Sequence, residues 1–216
     1  MGVRIMCASY GLDPRFTDRD EILAHDLELL DGLRGWAEQN EGKTLYPTGK
    51  DKRNLNPIVH GVDGRRELEL AWWGYLVDGV PAKFPSINTK SERLLTQNGR
   101  PGRAIVPATA WFEMQKPQRQ WFQFTESDAQ LFAMAAVTRP GRTTDGATFT
   151  CYSLVMRTAQ DRHAGIHDRS PLVLPADFVA DWLTSPAPTR ELVDAALGVS
   201  EAVLGGVLAE PIAARP

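Results

Sequence analysis

Residues 104–155 read AIVPATAWFEMQKPQRQWFQFTESDAQLFAMAAVTRPGRTTDGATFTCYSLV. Five strand-like apolar runs follow one another closely: Ala104–Val106, Ala110–Met114, Trp121–Phe124, Leu131–Thr138 and Phe149–Val155. Lys116-Pro117 and Arg139-Pro140-Gly141 stand between them, the kind of punctuation that ends strands. No regular βα alternation runs through the stretch. Upstream lie further strand signals at Met6–Tyr10, Ile58–Val62 and Leu68–Tyr75, and two turns between Val77 and Ile87. A helix capped by Thr17 or Asp18, with Glu21 three residues after Asp18, carries Ile22, Leu23, Leu27, Leu30, Leu33 and Trp36 at helical spacing to about Gln39. Polar Asn40–Asn56 reads as a long surface loop, and Ser91–Gln97 as a short helix stopped by Asn98-Gly99. Downstream, helices are expected over Pro175–Leu183 and Thr189–Leu197, then a last strand over Ala202–Leu208. The pattern predicts one α+β domain over residues 1–216, with a strongly bent, barrel-like, mixed or antiparallel sheet flanked by helices.

The 216 residues suffice for a substantial core. No run approaches the ~20 apolar residues of a membrane helix, and Met1 to Cys7 hold no apolar stretch of signal-peptide length. Two cysteines, Cys7 and Cys151, make no disulfide framework, so an intracellular, cytoplasmic protein is expected. There is no HExxH or CxxC spacing, so neither metal nor cofactor is expected. The formal charge of −3 speaks weakly against a nucleic-acid partner, but its distribution speaks otherwise. Ser86–Arg119 holds six basic residues (Lys90, Arg93, Arg100, Arg103, Lys116, Arg119) and two acidic ones (Glu92, Glu113), a net +4, leaving −7 for the rest. A phosphate backbone could follow such a segment.

Four residues could do chemistry. Cys7 directly follows an internal methionine, and a start at Met6 or removal of residues 1–6 would give it a free α-amine. That amine, with a pKa near ~8, can attack an aldehyde, and the thiolate can then close a five-membered ring. A buried small hydrophobe on a first strand is the alternative. His167, in Gly165-Ile166-His167-Asp168-Arg169-Ser170-Pro171, could move protons or stabilise an oxyanion; a structural loop with paired Asp168 and Arg169 is equally open. Glu113 lies in Trp111-Phe112-Glu113-Met114, where apolar neighbours could desolvate it, or alternation could simply turn it to solvent. Asn88 could hold an amine or oxyanion, or act as a turn former.

These segments occur in an order that resembles one family. Met6-Cys7, Trp73-Gly74, Ile87-Asn88-Thr89-Lys90-Ser91-Glu92, Arg103 to Glu113 and Ile166-His167-Asp168-Arg169-Ser170-Pro171 are similar to the SOS response-associated peptidases, SRAP, over residues 6 to about 175. The resemblance implies a sensor of abasic sites in single-stranded DNA. Cys7 would be the crosslinking nucleophile, exposed by autoproteolysis and giving a Schiff base and then a thiazolidine. Asn88 would position its amine, Glu113 would be the general acid/base, and His167 would help open the sugar. Lys90, Arg103, Arg169 and Trp73 would contact the DNA. A monomer, nucleoid-associated when bound to DNA, is implied as well.

The chain departs from the family pattern at several points. Ala8-Ser9 follow Cys7, Lys90 replaces an arginine and so lacks its fork, and Met114 replaces an aromatic. Tyr75-Leu76-Val77-Asp78-Gly79 stands where Pro-x-Trp is usual. These changes fall on the DNA-facing surface more than on the reactive four. Two other readings are a cysteine peptidase acting on other proteins through Cys7 and His167, and a non-catalytic single-strand-binding module.

Overall fold

The computed structural model describes residues 9–40, 55–77, 79–82, 86–96 and 99–214. In chain order the elements begin with β1 (Tyr10–Gly11), α1 (Leu27–Gln39), β2 (Leu55–Val62), β3 (Arg65–Trp73), β4 (Leu76–Val77), β5 (Val80–Pro81), β6 (Asn88–Lys90) and α2 (Ser91–Thr96). There follow β7 (Gly102–Ala108), β8 (Ala110–Gln115), β9 (Gln120–Thr125), β10 (Phe132–Arg142) and β11 (Thr148–Thr158). The chain ends with α3 (Asp161–Ala164), β12 (Arg169–Pro171), β13 (Val173–Leu174), α4 (Ala176–Thr184), α5 (Thr189–Gly206) and β14 (Leu208–Ile212). None of these helices is long and apolar enough to cross a membrane.

The expected bent sheet is a closed barrel. Strand β11 pairs with β3, β3 with β2, β2 with β7, β7 with β10, and β10 returns to β11. Only the β11–β3 pairing within the ring is parallel. The β2–β3 hairpin turns at Asp63-Gly64, both with positive φ (47° and 79°), which Asp and Gly tolerate best.

Period-two alternation sorts the strand residues onto two faces. Val59, Ile105, Ala133, Ala135, Val137 and Val155 face α1, α4 and α5. Ile58, Ala71, Trp73, Ala104, Val106, Phe132, Met134, Ala136, Tyr152, Leu154 and Met156 form a second cluster. Helices can cover a closed barrel only from outside, so the second set fills the interior. Arginines on the outer face reach the helices. Arg157 donates to Leu197 O (3.0 Å) and Glu201 (3.1 Å) on α5, and Arg103 donates to the carbonyls of Trp182 and Ser185 at the end of α4.

Strands β10 and β11 stay paired only from Ala136↔Leu154 to Arg142↔Thr148. Beyond Leu154 they diverge, and the backbone groups of β11 need other partners. On one side β6 pairs in parallel with Leu154–Met156; on the other β12 pairs with Met156–Thr158, while β13 pairs with β10. At this flared end a second sheet, ordered β1-β8-β9-β14, packs its aromatic face onto the barrel interior. Trp111 stacks on Phe124 (centroids 5.0 Å) and meets Phe132 edge-on (5.1 Å).

Several local expectations differ from this structure. Residues 18–25 are turns, because the Asp18 carboxylate takes the N–H of Ile22 and Leu23 (2.7 and 3.0 Å) and Glu21, Ala24 and His25 adopt positive φ. The helix starts at Leu27, capped by Asp26, and Leu27 is 72 % exposed instead of buried. Leu55 and Asn56 belong to β2 rather than to a loop, most of which falls outside the described residues, as does Met6–Ala8 of the first expected strand. Arg139-Pro140-Gly141 lies inside β10, paired with Phe149–Cys151, and the turn comes after it. The last strand is Leu208–Ile212, because Leu192, Ala196, Ser200 and Leu204 keep α5 buried at i, i+4 spacing through residues 202–206.

A Cβ at Gly102 would lie 2.2 Å from Thr138 Oγ1, on the stiff, β-branched side chain in register with it. Gly102→Ala is therefore expected to destabilise the protein by about 1–3 kcal/mol in urea unfolding. Adding Thr138→Ala should recover part of that loss; strict additivity of the two single changes would contradict the clash.

Candidate functional site

At the flared end, Ile87 anchors the chain just before Asn88. Its carbonyl accepts from Trp73 Nε1 (2.9 Å) and from Leu154 N (3.0 Å). Register then places Asn88 beside Leu154 and Thr89 beside Val155, with Thr89 Oγ1 and Ser153 Oγ 2.8 Å apart. Ser86 Oγ accepts from Tyr75 N (2.8 Å) and closes the turn around Gly74, whose φ is 95°. Asn88 is thus a half-buried residue on a short strand held from both flanks.

Glu113 sits on β8 in register with Phe122 of β9. It shares a strand face with Trp111, two residues earlier, and so looks toward the apolar cluster rather than into solvent. Only 4 % of it is exposed. Of the two orientations open in the sequence, the buried one is realised.

His167 follows α3. The His163 carbonyl accepts from Ile166 N (2.9 Å) and His167 N (3.2 Å), fixing the bend. The Arg169 backbone N–H points at His167 Nδ1 (3.1 Å), while Asp168 Oδ1 lies 3.3 Å from the same nitrogen. The two contacts require opposite protonation of Nδ1. A backbone N–H can only donate, so Nδ1 is the acceptor and the ring proton belongs on Nε2.

Two side-chain bonds tie the three segments together. Gln115 Nε2, two residues beyond Glu113, donates to Gly165 O (2.8 Å), and Arg169 Nη1 meets Glu92 Oε1 of α2 at 2.6 Å. Partial burial works to raise the Glu92 carboxyl. Its own backbone N–H, the Arg169 guanidinium and the charges of Arg169 and Lys90 outweigh this and hold it below its ordinary value. Ile87 and Ile166 pack against the same cluster that contains Trp111. Gln115 carried no signal in the sequence, and Glu92 appeared only as part of a motif.

The remaining assignments divide. Cys7 lies outside the described residues. The nearest described residue, Ser9, accepts from Phe112 N (3.2 Å), next to Glu113. Lys90 is exposed on β6, and Arg169 is engaged by Glu92. Trp73 is 1 % exposed, lodged between Tyr10 (4.9 Å) and Tyr152 (6.2 Å, nearly parallel). It offers no face for a DNA base and acts as scaffold for Ile87. Arg103 is turned away from the site, on the outer face of β7, and burial pushes its guanidinium below its ordinary value. A cleft of about 440 Å³ lies at the opposite barrel end, between Glu69, Thr138 and Thr148–Thr150, and none of the predicted site residues lines it. Among the described residues no His, Cys, Asp and Glu cluster could hold a metal ion.

The family model described as SOS response associated peptidase (SRAP) matches residues 6–203. The chain belongs to this family. The SRAP chain is also 31 % identical over 194 residues to the abasic site processing protein YedK of Escherichia coli K12, covering 86 % of this chain and 83 % of that one. A solved structure from Bordetella bronchiseptica shares the fold with a TM-score of 0.64 at 16 % identity, covering 96 % of this chain and all of its own. A phage-related protein from the same organism gives a TM-score of 0.62 at 19 % identity, over 96 % of this chain and 95 % of that one.

His163, which anchors the His167 bend, is buried with Nδ1 unbonded and its ring edge-on to Phe124 (5.2 Å). Burial, then the Arg162 charge, pushes its pKa below the ordinary value, against an opposing hydrogen bond with the Val207 backbone. The folded pKa is below the unfolded one, so the unfolded chain takes up the proton first. Stability is complete above the unfolded value of ~6.5 and falls as pH drops below it. Urea midpoints at about pH 7.5 and about pH 5.5 should show a smaller loss for His163→Gln than for wild type. An equal loss in both would remove His163 as a source of acid sensitivity.

Proposed function

We propose that this SRAP-family protein senses abasic sites in single-stranded DNA and captures them as a thiazolidine crosslink through Cys7, once residues 1–6 are gone. The observation that carries the reading is Glu113: a buried carboxyl on an apolar strand face, joined through Gln115 to the loop that bears His167. Only two peptide units, at most ~7 Å of chain, separate Cys7 from Ser9, which lies beside Phe112. Similarity to an abasic site processing protein supports the same substrate.

The chemistry follows from the groups. An abasic deoxyribose is a cyclic hemiacetal, and an Nε2–H on His167 suits donation to the ring oxygen as the aldehyde forms. The Cys7 amine adds to that aldehyde, with Asn88 orienting it. Glu113 gives the proton that lets the carbinolamine oxygen leave as water and, as its carboxylate, takes back the proton left on nitrogen, so that an imine results. The Cys7 thiolate then adds to the imine carbon, and the nitrogen takes up a proton, closing the ring. Autoproteolysis that exposes the Cys7 amine would use the same acid–base pair. The protein would act as a monomer in the cytoplasm, on nucleoid DNA.

A protein beginning at Cys7 should form a heat-stable adduct with an abasic single strand on a denaturing gel, and Cys7→Ala should form none. Glu113→Gln is expected to slow adduct formation by roughly 10²–10⁴-fold, the usual range for a lost general acid or base. Intact mass of the full chain should show residues 1–6 removed. No adduct from the protein beginning at Cys7 would end this reading. Cleavage of a peptide in trans that Cys7→Ser abolishes would point to a peptidase. Unchanged DNA binding in Glu113→Gln and His167→Ala, with no adduct in any variant, would point to a binding module.

A further inference from the structure

The cations around the site fall into two separated sets. Lys90 and Arg93 are exposed on β6 and α2. Lys116 and Arg119 lie on the other side, in the four-residue turn that links β8 to β9 beyond the Gln115↔Gln120 pair. All four turn residues are exposed, and Arg119 adopts a positive φ of 58°. Between the two sets runs the loop of residues 165–169. Gln115 holds it at the turn end through Gly165, and Glu92 holds it at the α2 end through Arg169. The four steps from Gly165 to Arg169 extend at most ~14 Å, so the two tethered ends of the loop lie within the span of a few nucleotides.

Lys116 and Arg119 differ from the neighbouring arginines in what their charges do. Arg169 is matched by Glu92, and Arg103 is bound to helix carbonyls. Lys116 and Arg119 have no acidic partner among the described residues. Their positions are solvent-exposed and contribute nothing to either apolar cluster. The fold therefore places two uncompensated cations on a turn fastened to the His167 loop.

We infer that the β8–β9 turn is the second bank of a phosphate track, with Lys116 and Arg119 taking backbone phosphates on the side of the reactive residues opposite Lys90 and Arg93. The inference rests on the single-stranded-DNA reading above. It adds where the strand runs: from the β6–α2 side, over the loop of residues 165–169, to the turn. Phosphate contacts of this kind set the register of the strand without reading its bases.

The test is binding of a fluorescent, undamaged oligothymidine over a range of salt, followed by anisotropy. Each phosphate contact in a single strand adds about 0.7 to the slope of log affinity against log salt, so Lys116→Gln with Arg119→Gln should lower the slope by about 1.4. Affinity at moderate salt should fall roughly tenfold. Arg65→Gln with Arg142→Gln, exposed cations at the far barrel end, should leave the slope as in wild type. An unchanged slope in the turn variant, or an equal drop in the far-end variant, overturns the inference. Wild-type protein that binds the strand but forms no adduct defeats only the crosslinking reading, and the slopes still decide the track. Wild-type protein that binds no single strand defeats both.

Discussion

The arrangement depends on the point where β10 and β11 part. A five-stranded ring closes only while these two strands pair, and their ladder stops at Ala136↔Leu154. Past it, β11 carries backbone N–H and C=O groups in a buried setting, where each unmade bond costs ~1–3 kcal/mol. β12 meets that demand on the edge β10 leaves, and β6 continues the opposite edge, where β3 ends at Trp73. Asn88 begins β6, and His167 lies two residues before β12. The same ladder repair that completes the barrel thus brings two sequence-distant polar residues to one end of it.

The second sheet closes that end with aromatic side chains and sets the environment of the third residue. Trp111 and Glu113 point the same way from β8, so the carboxyl is carried into the apolar region by the strand that buries the indole. Around it the connections are polar and directional: Gln115 to Gly165, Arg169 to Glu92, and Arg169 N to His167 Nδ1. Apolar packing holds the elements together, and these few bonds set the positions of the side chains. A histidine with Nδ1 occupied offers one defined donor, Nε2–H, which is a chemical consequence of a backbone turn.

Much of this was legible along the chain. Apolar runs broken by glycine and proline showed a bent sheet, and the Asn88, Glu113 and His167 segments stood out by their residue types and order. The failures have common causes. Asp18 looked like a helix cap, but its carboxylate closes a tighter turn that needs positive φ at three non-glycine residues. Arg139-Pro140-Gly141 looked like a break, but all three pair with β11, and glycine is needed at 141 because a Cβ there would lie 2.5 Å from Cys151 Sγ. Trp73 and Arg103 were DNA contacts only as the family resemblance implied. The first is enclosed by Tyr10 and Tyr152, and the second caps a helix more than seventy residues away in sequence.

The sequence by itself determined the long barrel strands and the helices α1, α2, α4 and α5, since period-two and period-3.6 patterns are local properties, and it determined which residue types could carry proton transfer. It also determined the family, because the ordered motifs survive without any coordinates. Only the tertiary structure decided that Glu113 is buried, that Trp73 is scaffold, that Arg103 faces the helices and that Gln115 and Glu92 brace the site. Burial and pairing depend on which face of a strand a neighbour covers, and that neighbour is chosen by ring closure between residues far apart in the chain.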